Sequence, residues 1–260
     1  MRYLFAFSYD GGKFTGFQRG TGKRSVEDSI ISVLDKYSIG ENFRCCSRTD
    51  RGVSAIMNTS TLDSDSDAED IIGILNSNLE DIYFYKYAGV DENFNVRRVQ
   101  FKKYVYIIPE LNQFYSIRIS DLKKFEGEHD FSNFCKLNGR NTKRSVIEIG
   151  ESFNNHIRTV SFKAKGFLWN QIRFMVGYAM EKARDEKTPD DPFSGEYKTM
   201  KLAPPGPLFL EEISYEGVEF KTIVKKSTRK RSEKAYMMAL SDYFFNREML
   251  DRTDKDPLFK

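Results

Sequence analysis

The sequence predicts an α+β fold, and three observations carry the expectation. Several segments alternate apolar and polar residues with a period of two, the mark of strands. Others repeat apolar residues at helical spacing behind a capping residue. The two kinds follow one another in mixed order, without the regular strand–helix alternation of a doubly wound parallel sheet. With 260 residues, 40% of them hydrophobic, the chain can bury a sizeable core in one large domain or two smaller ones.

Residues 3–9, YLFAFSY, place Tyr3, Phe5, Phe7 and Tyr9 on one face and Leu4, Ala6 and Ser8 on the other, which predicts a strand. Beyond a glycine-rich loop, Ser25 is a good N-cap, Glu27 and Asp28 stand in the first turn, and Val26, Ile30, Val33 and Leu34 recur at helical spacing. A strand is expected in FRCCSRT (43–49), a short one in AIMNTST (55–61) and a helix in AEDIIGILNSNL (68–79). DIYFYKYAGV (81–90) and KKYVYIIPE (102–110) are read as the strands that close this half, and Pro109 with the polar ELNQ marks a boundary near residue 110. The second half repeats the content: a short helix in ISDLKKFEG, strands in RSVIEIGESFNN and HIRTVSFKAK, a long helix over 167–186, a proline-rich loop, and a strand in LFLEEISYEG. The expected organisation is therefore 1–109, 110–220 and a basic tail, 221–260. There KTIVKKSTRKR carries six basic residues and no acid ahead of a helix-like SEKAYMMALSDYFFNREML.

Charge and cysteine usage exclude more than they identify. Lys and Arg number 41 against 38 Asp and Glu, a net charge of +3, so the balance permits a nucleic-acid partner without demanding one. Three cysteines, two of them adjacent at Cys45 and Cys46, give neither a disulfide framework nor zinc spacing, and free thiols in a reducing cytosol follow. The N-terminus lacks a signal-peptide layout and no apolar run reaches bilayer length, so a cytoplasmic protein with no membrane partner is expected. The acidic run LDSDSDAED begins like a calcium loop but has Ala68 at the sixth position and Ile74 at the twelfth; its acids are read as the complement of a helix N-terminus. His129, although near Cys135, and His156 are read as structural. No Ser-His-Asp elbow, H-E-x-x-H or dinucleotide fingerprint is present, so neither metal nor cofactor is expected.

Two clusters remain. YDGGKFTGFQRGTGKR holds five glycines with Lys13, Arg19, Lys23 and Arg24, interleaved with Phe14 and Phe17. Two readings stay open for it: cations that neutralise phosphates beside aromatics that stack on bases, or a strand-to-helix loop whose phenylalanines are core. SRTDRGVSA sets Asp50 between Arg48 and Arg51. Residue physics alone reads Asp50 as a turn aspartate with weak surface ion pairs. In an extended segment, however, Arg48 and Asp50 project to one side. Positive neighbours lower a carboxylate's pKa and keep it charged, as a nucleophile or base requires. Arg173, inside the apolar FLWNQIRFMVG, must snorkel to the surface or pair with a buried carboxylate, and Asp50 is a candidate partner.

In order along the chain to about residue 216, these segments resemble the TruA-type tRNA pseudouridine synthases. YDGGKFTGFQRG is similar to the family's YDG-x-x-F/Y-x-G-W/F-Q, RTDRGVSA to its catalytic R-T-D-x-G-V-H/S-A, and KKYVYII to its tyrosine-bearing strand. GEHDFSNFC, FLWNQIRFMVG and APPGPLFLEEISY match its later segments, while Ser54 stands where the family often has histidine. The resemblance implies two ferredoxin-like halves whose mainly antiparallel sheets merge, with flanking helices and a catalytic cleft between them. It implies an isomerase that detaches uracil, rotates it and rejoins it through C5, with Asp50 as the attacking group. Tyr104 would stack on the target base and take part in proton removal from C5, Arg173 would pair with Asp50, and Arg48 would hold the nucleotide out of its stem. Lys13, Arg19, Lys23 and Arg24 would then line the RNA path. The implied substrate is tRNA, at uridines 38 to 40 of the anticodon stem-loop, and the implied assembly is a homodimer. A non-catalytic RNA-binding protein or chaperone, or a synthase acting on another RNA, are the alternatives.

Overall fold

The computed structural model describes all residues except 21–23, 110–113, 115–116, 138, 140, 155–156, 186, 196, 198–200, 224–225 and 254–260. Internal contacts divide the chain into Met1–Lys221 and Thr222–Lys260. The boundary expected near residue 110 abuts 110–113, outside the described residues. The fold is mixed α+β, with one large, mostly antiparallel sheet and flanking helices.

The strands are β1 (Arg2–Tyr9), β2 (Glu41–Cys45), β3 (Ser54–Asp63), β4 (Ile82–Val90), β5 (Phe101–Ile108), β6 (Gly127–Asp130), β7 (Lys143–Asn154), β8 (Ile157–Ala164), β9 (Leu208–Ser214) and β10 (Lys221–Thr222). Their order is β10-β4-β1-β3-β9-β5-β8-β7-β6, with β2 paired to β3. The ladder that joins the two sides is parallel: Ser54 and Ala55 of β3 face Phe209 and Leu210 of β9. β3 begins four residues after Asp50, so the aspartate sits where the two sides meet. β5, read from sequence as the last strand of the first half, lies beyond this seam between β9 and β8. The connection 91–100 carries the chain across, with Phe94 packed on Tyr215 and the Tyr215 hydroxyl donating to Val96 O at 2.7 Å.

On the first side, α1 (Val26–Tyr37) and α2 (Ala68–Asn78) bury Ile30, Leu34, Ile71, Ile72 and Leu75. Phe5, Phe7 and Phe84 join that apolar core, Phe7 and Phe84 stacking with centroids 4.8 Å apart. Ser25 caps α1 by accepting from Asp28 N at 3.0 Å, and Asp67 caps α2 by accepting from Glu69 N. The acidic run before α2 thus serves the helix start. On the second side, α3 (Ile119–Lys123) and α4 (Gln171–Lys182) enclose Tyr106, Phe125, Phe131, Phe134, Phe162 and Tyr178. His129 belongs to this cluster: it stacks on Phe193 at 4.1 Å, and one ring nitrogen lies 2.8 Å from Glu126 O. It makes no pair with Cys135, and His156 lies outside the described residues.

In the second unit, α5 (Lys226–Thr253) is a 28-residue helix that exposes Tyr236, Met237, Leu240, Tyr243, Phe244 and Phe245. Among the described residues no helix is long and apolar enough to cross a membrane.

Candidate active site

The Asp50 loop begins where β2 ends. The strand expected over 43–49 stops at Cys45, because the chain beyond it bonds to side chains and to the edge of β3 rather than continuing a ladder. Cys46 N donates to Thr59 O at 2.9 Å. Ser47 is held on both sides by the buried Asn58, whose Oδ1 accepts from Ser47 N at 3.3 Å and whose Nδ2 donates to Ser47 O at 2.9 Å. Thr49 Oγ1 and the Tyr9 hydroxyl share a buried hydrogen bond of 2.8 Å. A short turn, Val53 N to Asp50 O at 3.1 Å, then leads into β3.

The glycine-rich loop supports this turn from the side. Gly11 lies so close that a Cβ there would fall 2.1 Å from Val53 O, so the backbone approach that glycine permits is made to the Asp50 loop. Phe17 N donates to Thr49 O at 3.1 Å. Phe14 and Phe17 are buried, which decides for core between the two readings left open. Arg24 pairs with Asp81 at 3.3 Å and lies over the Phe14 ring, while Lys13 and Arg19 are exposed. None of these three lines the cleft around Asp50, and Lys23 lies outside the described residues.

α4 supplies the opposite wall. The helix expected from residue 167 starts at Gln171, because Asn170 adopts the left-handed conformation (φ 64°) and the Gln171 side chain turns back to accept from Leu168 N at 2.8 Å. Residues 165–170 are thereby released as a loop lining the cleft. The segment after α4 straps onto it: a Cβ on Gly177 would fall 1.9 Å from Lys201 O. Arg173 Nε donates to Ala203 O at 2.7 Å and Nη1 to Asn170 Oδ1 at 3.2 Å. So fixed, Arg173 Nη1 stands 3.9 Å from Asp50 Oδ2.

The cleft measures about 710 Å³. Among the described residues its lining carries seven cations, Arg48, Arg51, Arg97, Lys102, Arg144, Lys165 and Arg173, against the single carboxylate of Asp50. Tyr104, on β5, lines it with its ring edge-on to Phe167, centroids 5.4 Å apart. Burial raises the Tyr104 phenol above its ordinary pKa and keeps it protonated.

Asp50 corrects the electrostatic expectation. Its pKa is raised, not lowered: burial is the largest cause, opposed by the Arg173 charge, the Trp169 indole and the Lys136 charge. A pair of unit charges 4 Å apart gains about 4 kcal/mol at an effective dielectric near 20. Desolvation takes several kcal/mol per ion and here outweighs that gain. The charges acting on the carboxylate come from 136 and 173, not from the exposed arginines beside it in sequence.

Sequence reading did not single out Arg97, Lys102, Arg144 or Lys165, which arrive from three separate stretches of chain. Only Lys102 carried a local signal, since it stands two residues before Tyr104 and so shares its face of β5.

Fold and cleft define a class: a mixed α+β protein that presents one partly buried carboxylate among cations suited to a polyanion. A model of the tRNA pseudouridine synthase family matches residues 122–216. The chain is 36% identical over 251 residues to tRNA pseudouridine synthase A of Thermoplasma acidophilum, an alignment that covers 96% of this chain and 97% of that one. It is 38% identical over 220 residues to the protein of the same name from Picrophilus torridus, with 85% and 84% covered. The Thermoplasma volcanium protein of that name gives 38% over 229 residues, with 88% and 91% covered. The chain belongs to the tRNA pseudouridine synthase family and is an isomerase.

Proposed function

We propose that this chain isomerises uridine to pseudouridine in the anticodon stem-loop of tRNA, at nucleotides 38 to 40, with Asp50 as the nucleophile. The observation that carries the assignment is Asp50 itself, the one carboxylate in a cleft of seven cations, with Arg173 at 3.9 Å. Cations neutralise the phosphates of the strand, and extrusion brings one nucleotide out of its stack so that the carboxylate reaches it. Tyr104 offers its ring to the base, and Arg48 holds the nucleotide out of its stem. The carboxylate bonds to the nucleotide and leaves it again in a later step; the glycosidic C1′–N1 bond breaks with its electron pair going to uracil, uracil turns, C5 bonds to C1′, and the proton that C5 gives up is matched by one taken up at N1. Atoms and electrons balance within the substrate, so no donor or redox partner enters. A protonated Tyr104 serves as platform and hydrogen-bond donor rather than as a phenolate base.

Lys13, Arg19 and Arg24 contact tRNA outside the cleft on this reading, and Lys23 is a further RNA contact. The chain works as a cytoplasmic homodimer, organised in sequence as 1–109 and 110–220, with β5 of the first stretch built into the sheet of the second, and a basic tail, 221–260.

The test is Asp50→Asn assayed on tRNA beside the wild type. Binding is expected to persist while pseudouridine formation falls at least about 10³-fold. Equal modification by both proteins overturns the assignment, and mapping pseudouridine along the product tRNA reads its position in the same experiment.

A further inference from the structure

Beneath the cleft surface, a buried polar network lies against the Asp50 loop. Asn58 is fully buried on β3, and all four of its hydrogen-bonding positions are used. Its Oδ1 accepts from the backbone N–H of Ser47 (3.3 Å) and of Thr59 (2.9 Å), and its Nδ2 donates to Ser47 O (2.9 Å) and the Tyr9 hydroxyl (3.3 Å). Two backbone N–H groups converging on one atom require that atom to be the oxygen, which fixes the amide's orientation. Tyr9, buried on β1, passes the connection on to Thr49 Oγ1 at 2.8 Å. Thr49 is the residue directly before Asp50.

We infer that Asn58, Tyr9 and Thr49 form a buried polar latch that sets the position of the Asp50 carboxylate. They are positioning residues for the isomerisation, not contacts to RNA. The inference rests on the reading of Asp50 as nucleophile. A loop with no ladder of its own needs such a latch. Ser47 has left β2, the turn at Asp50 makes one backbone bond to Val53, and Arg48 and Arg51 are exposed. Without the latch the segment between Cys46 and Val53 would be held by backbone bonds at its ends and at Thr49, by the weak Cys45 Sγ contact to Ser47 O, and by the Asp50 side chain's own partners, Arg173 and Trp169. Buried polar networks of this kind fix one geometry when every member is satisfied. Misplacement of a reacting group by about 1 Å lowers a rate by about 10²-fold. The arrangement also gives Tyr9, in the YDG segment, a role toward the aspartate rather than toward the substrate.

The experiment compares Tyr9→Phe, Thr49→Val and Thr49→Ser in the full-length protein. It reads single-turnover pseudouridine formation, tRNA Kd and Tm. Tyr9→Phe and Thr49→Val keep side-chain volume and remove the shared hydrogen bond. They are expected to slow the single-turnover rate by about tenfold or more while Kd stays within about twofold of wild type. Thr49→Ser keeps the hydroxyl and is expected to hold the rate within about threefold of wild type. A general structural role would instead lower Tm and weaken tRNA binding along with the rate. The inference is overturned if both deletions retain wild-type rates, if their rate loss is matched by loss of binding, or if Thr49→Ser is no better than Thr49→Val. An active Asp50→Asn would sink the nucleophile reading itself. An inactive Asp50→Asn beside fully active latch variants would sink only the latch.

Discussion

Two helices of twelve residues, α1 and α4, begin in opposite ways. α1 starts as an isolated peptide helix would: Ser25 sits in the β region and caps the first turn, and Glu27 and Asp28 offset the positive end of the dipole. α4 starts behind Asn170 in the left-handed conformation, with no side-chain cap and no acid in its first turn. The Asn170 oxygen accepts from Arg173 instead, and Gln171, Ile172 and Arg173 line the cleft. The first helix satisfies its own N-terminus. The second brings its first residues and its arginine into the cleft with Asp50, so a local energetic loss at α4 becomes an electrostatic property of the cleft.

Arg173 is the sharpest place to break this arrangement. Arg173→Gln removes the cation while keeping much of the side-chain length, and leaves a partly buried carboxylate without its main counter-charge. A fall in kcat of about 10²-fold is expected, since a carboxylate that has lost the cation facing it shifts from its productive position, and some stability is lost with the counter-charge. Arg173→Lys keeps the charge but cannot hold Ala203 O and Asn170 Oδ1 while facing Asp50, so it should recover only part of the activity. Single-turnover rates for both variants check this, and a fully active glutamine variant would remove Arg173 from the chemistry.

A second effect appears in pH dependence. The nucleophile must be ionised, so the rate falls as pH drops through the Asp50 pKa. Burial raises that pKa, which places the acid limb above the range of an ordinary aspartate. Arg173 pulls it down, so Arg173→Gln should move the limb to higher pH, and Arg173→Lys should leave it nearer to wild type. Rate–pH profiles decide the point: an unmoved limb, or one moved to lower pH, would mean that another group controls activity.

The contrast between the helices also explains what the sequence disclosed. β1, α1 and α2 were legible because period, cap and burial agree over a few residues, as with Ser25 and Asp67. The start of α4 was not, because Asn170 and Gln171 answer to Arg173 and Leu168 rather than to helix propensity. The placement of β5 was hidden for a different reason: its edges are chosen by β8 and β9, whose paired residues come 50 to 113 positions later. Asp50 was found by its motif, yet the direction of its pKa was misread. The charges adjacent in sequence are conspicuous and the α4 motif points to Arg173, whereas burial and the reach of Lys136 exist only once the chain is folded. The cleft cations at 97, 102, 144 and 165 share no motif at all, since phosphate neutralisation needs charge at a place rather than a spacing in the chain.

The smallest expected effect separates the two helix starts most cleanly, because its sign differs between them. Ser25→Ala removes the cap on α1 and should lower stability by about 1 kcal/mol with the catalytic rate unchanged, because Ser25 bonds only within its own helix start. Asn170→Gly relieves a left-handed backbone that glycine adopts freely, so stability should hold or rise by up to about 1 kcal/mol. It also deletes the oxygen that accepts from Arg173, which frees the guanidinium to drift from Asp50 and should slow catalysis several-fold. Denaturant unfolding and single-turnover rates, measured on both variants, give the comparison. Loss of stability without loss of rate at 25, and the reverse at 170, would show that α1 starts for the fold and α4 for the carboxylate it faces. If Asn170→Gly were instead destabilised at full activity, the left-handed residue would be one more structural cap and the contrast between the helices would fail.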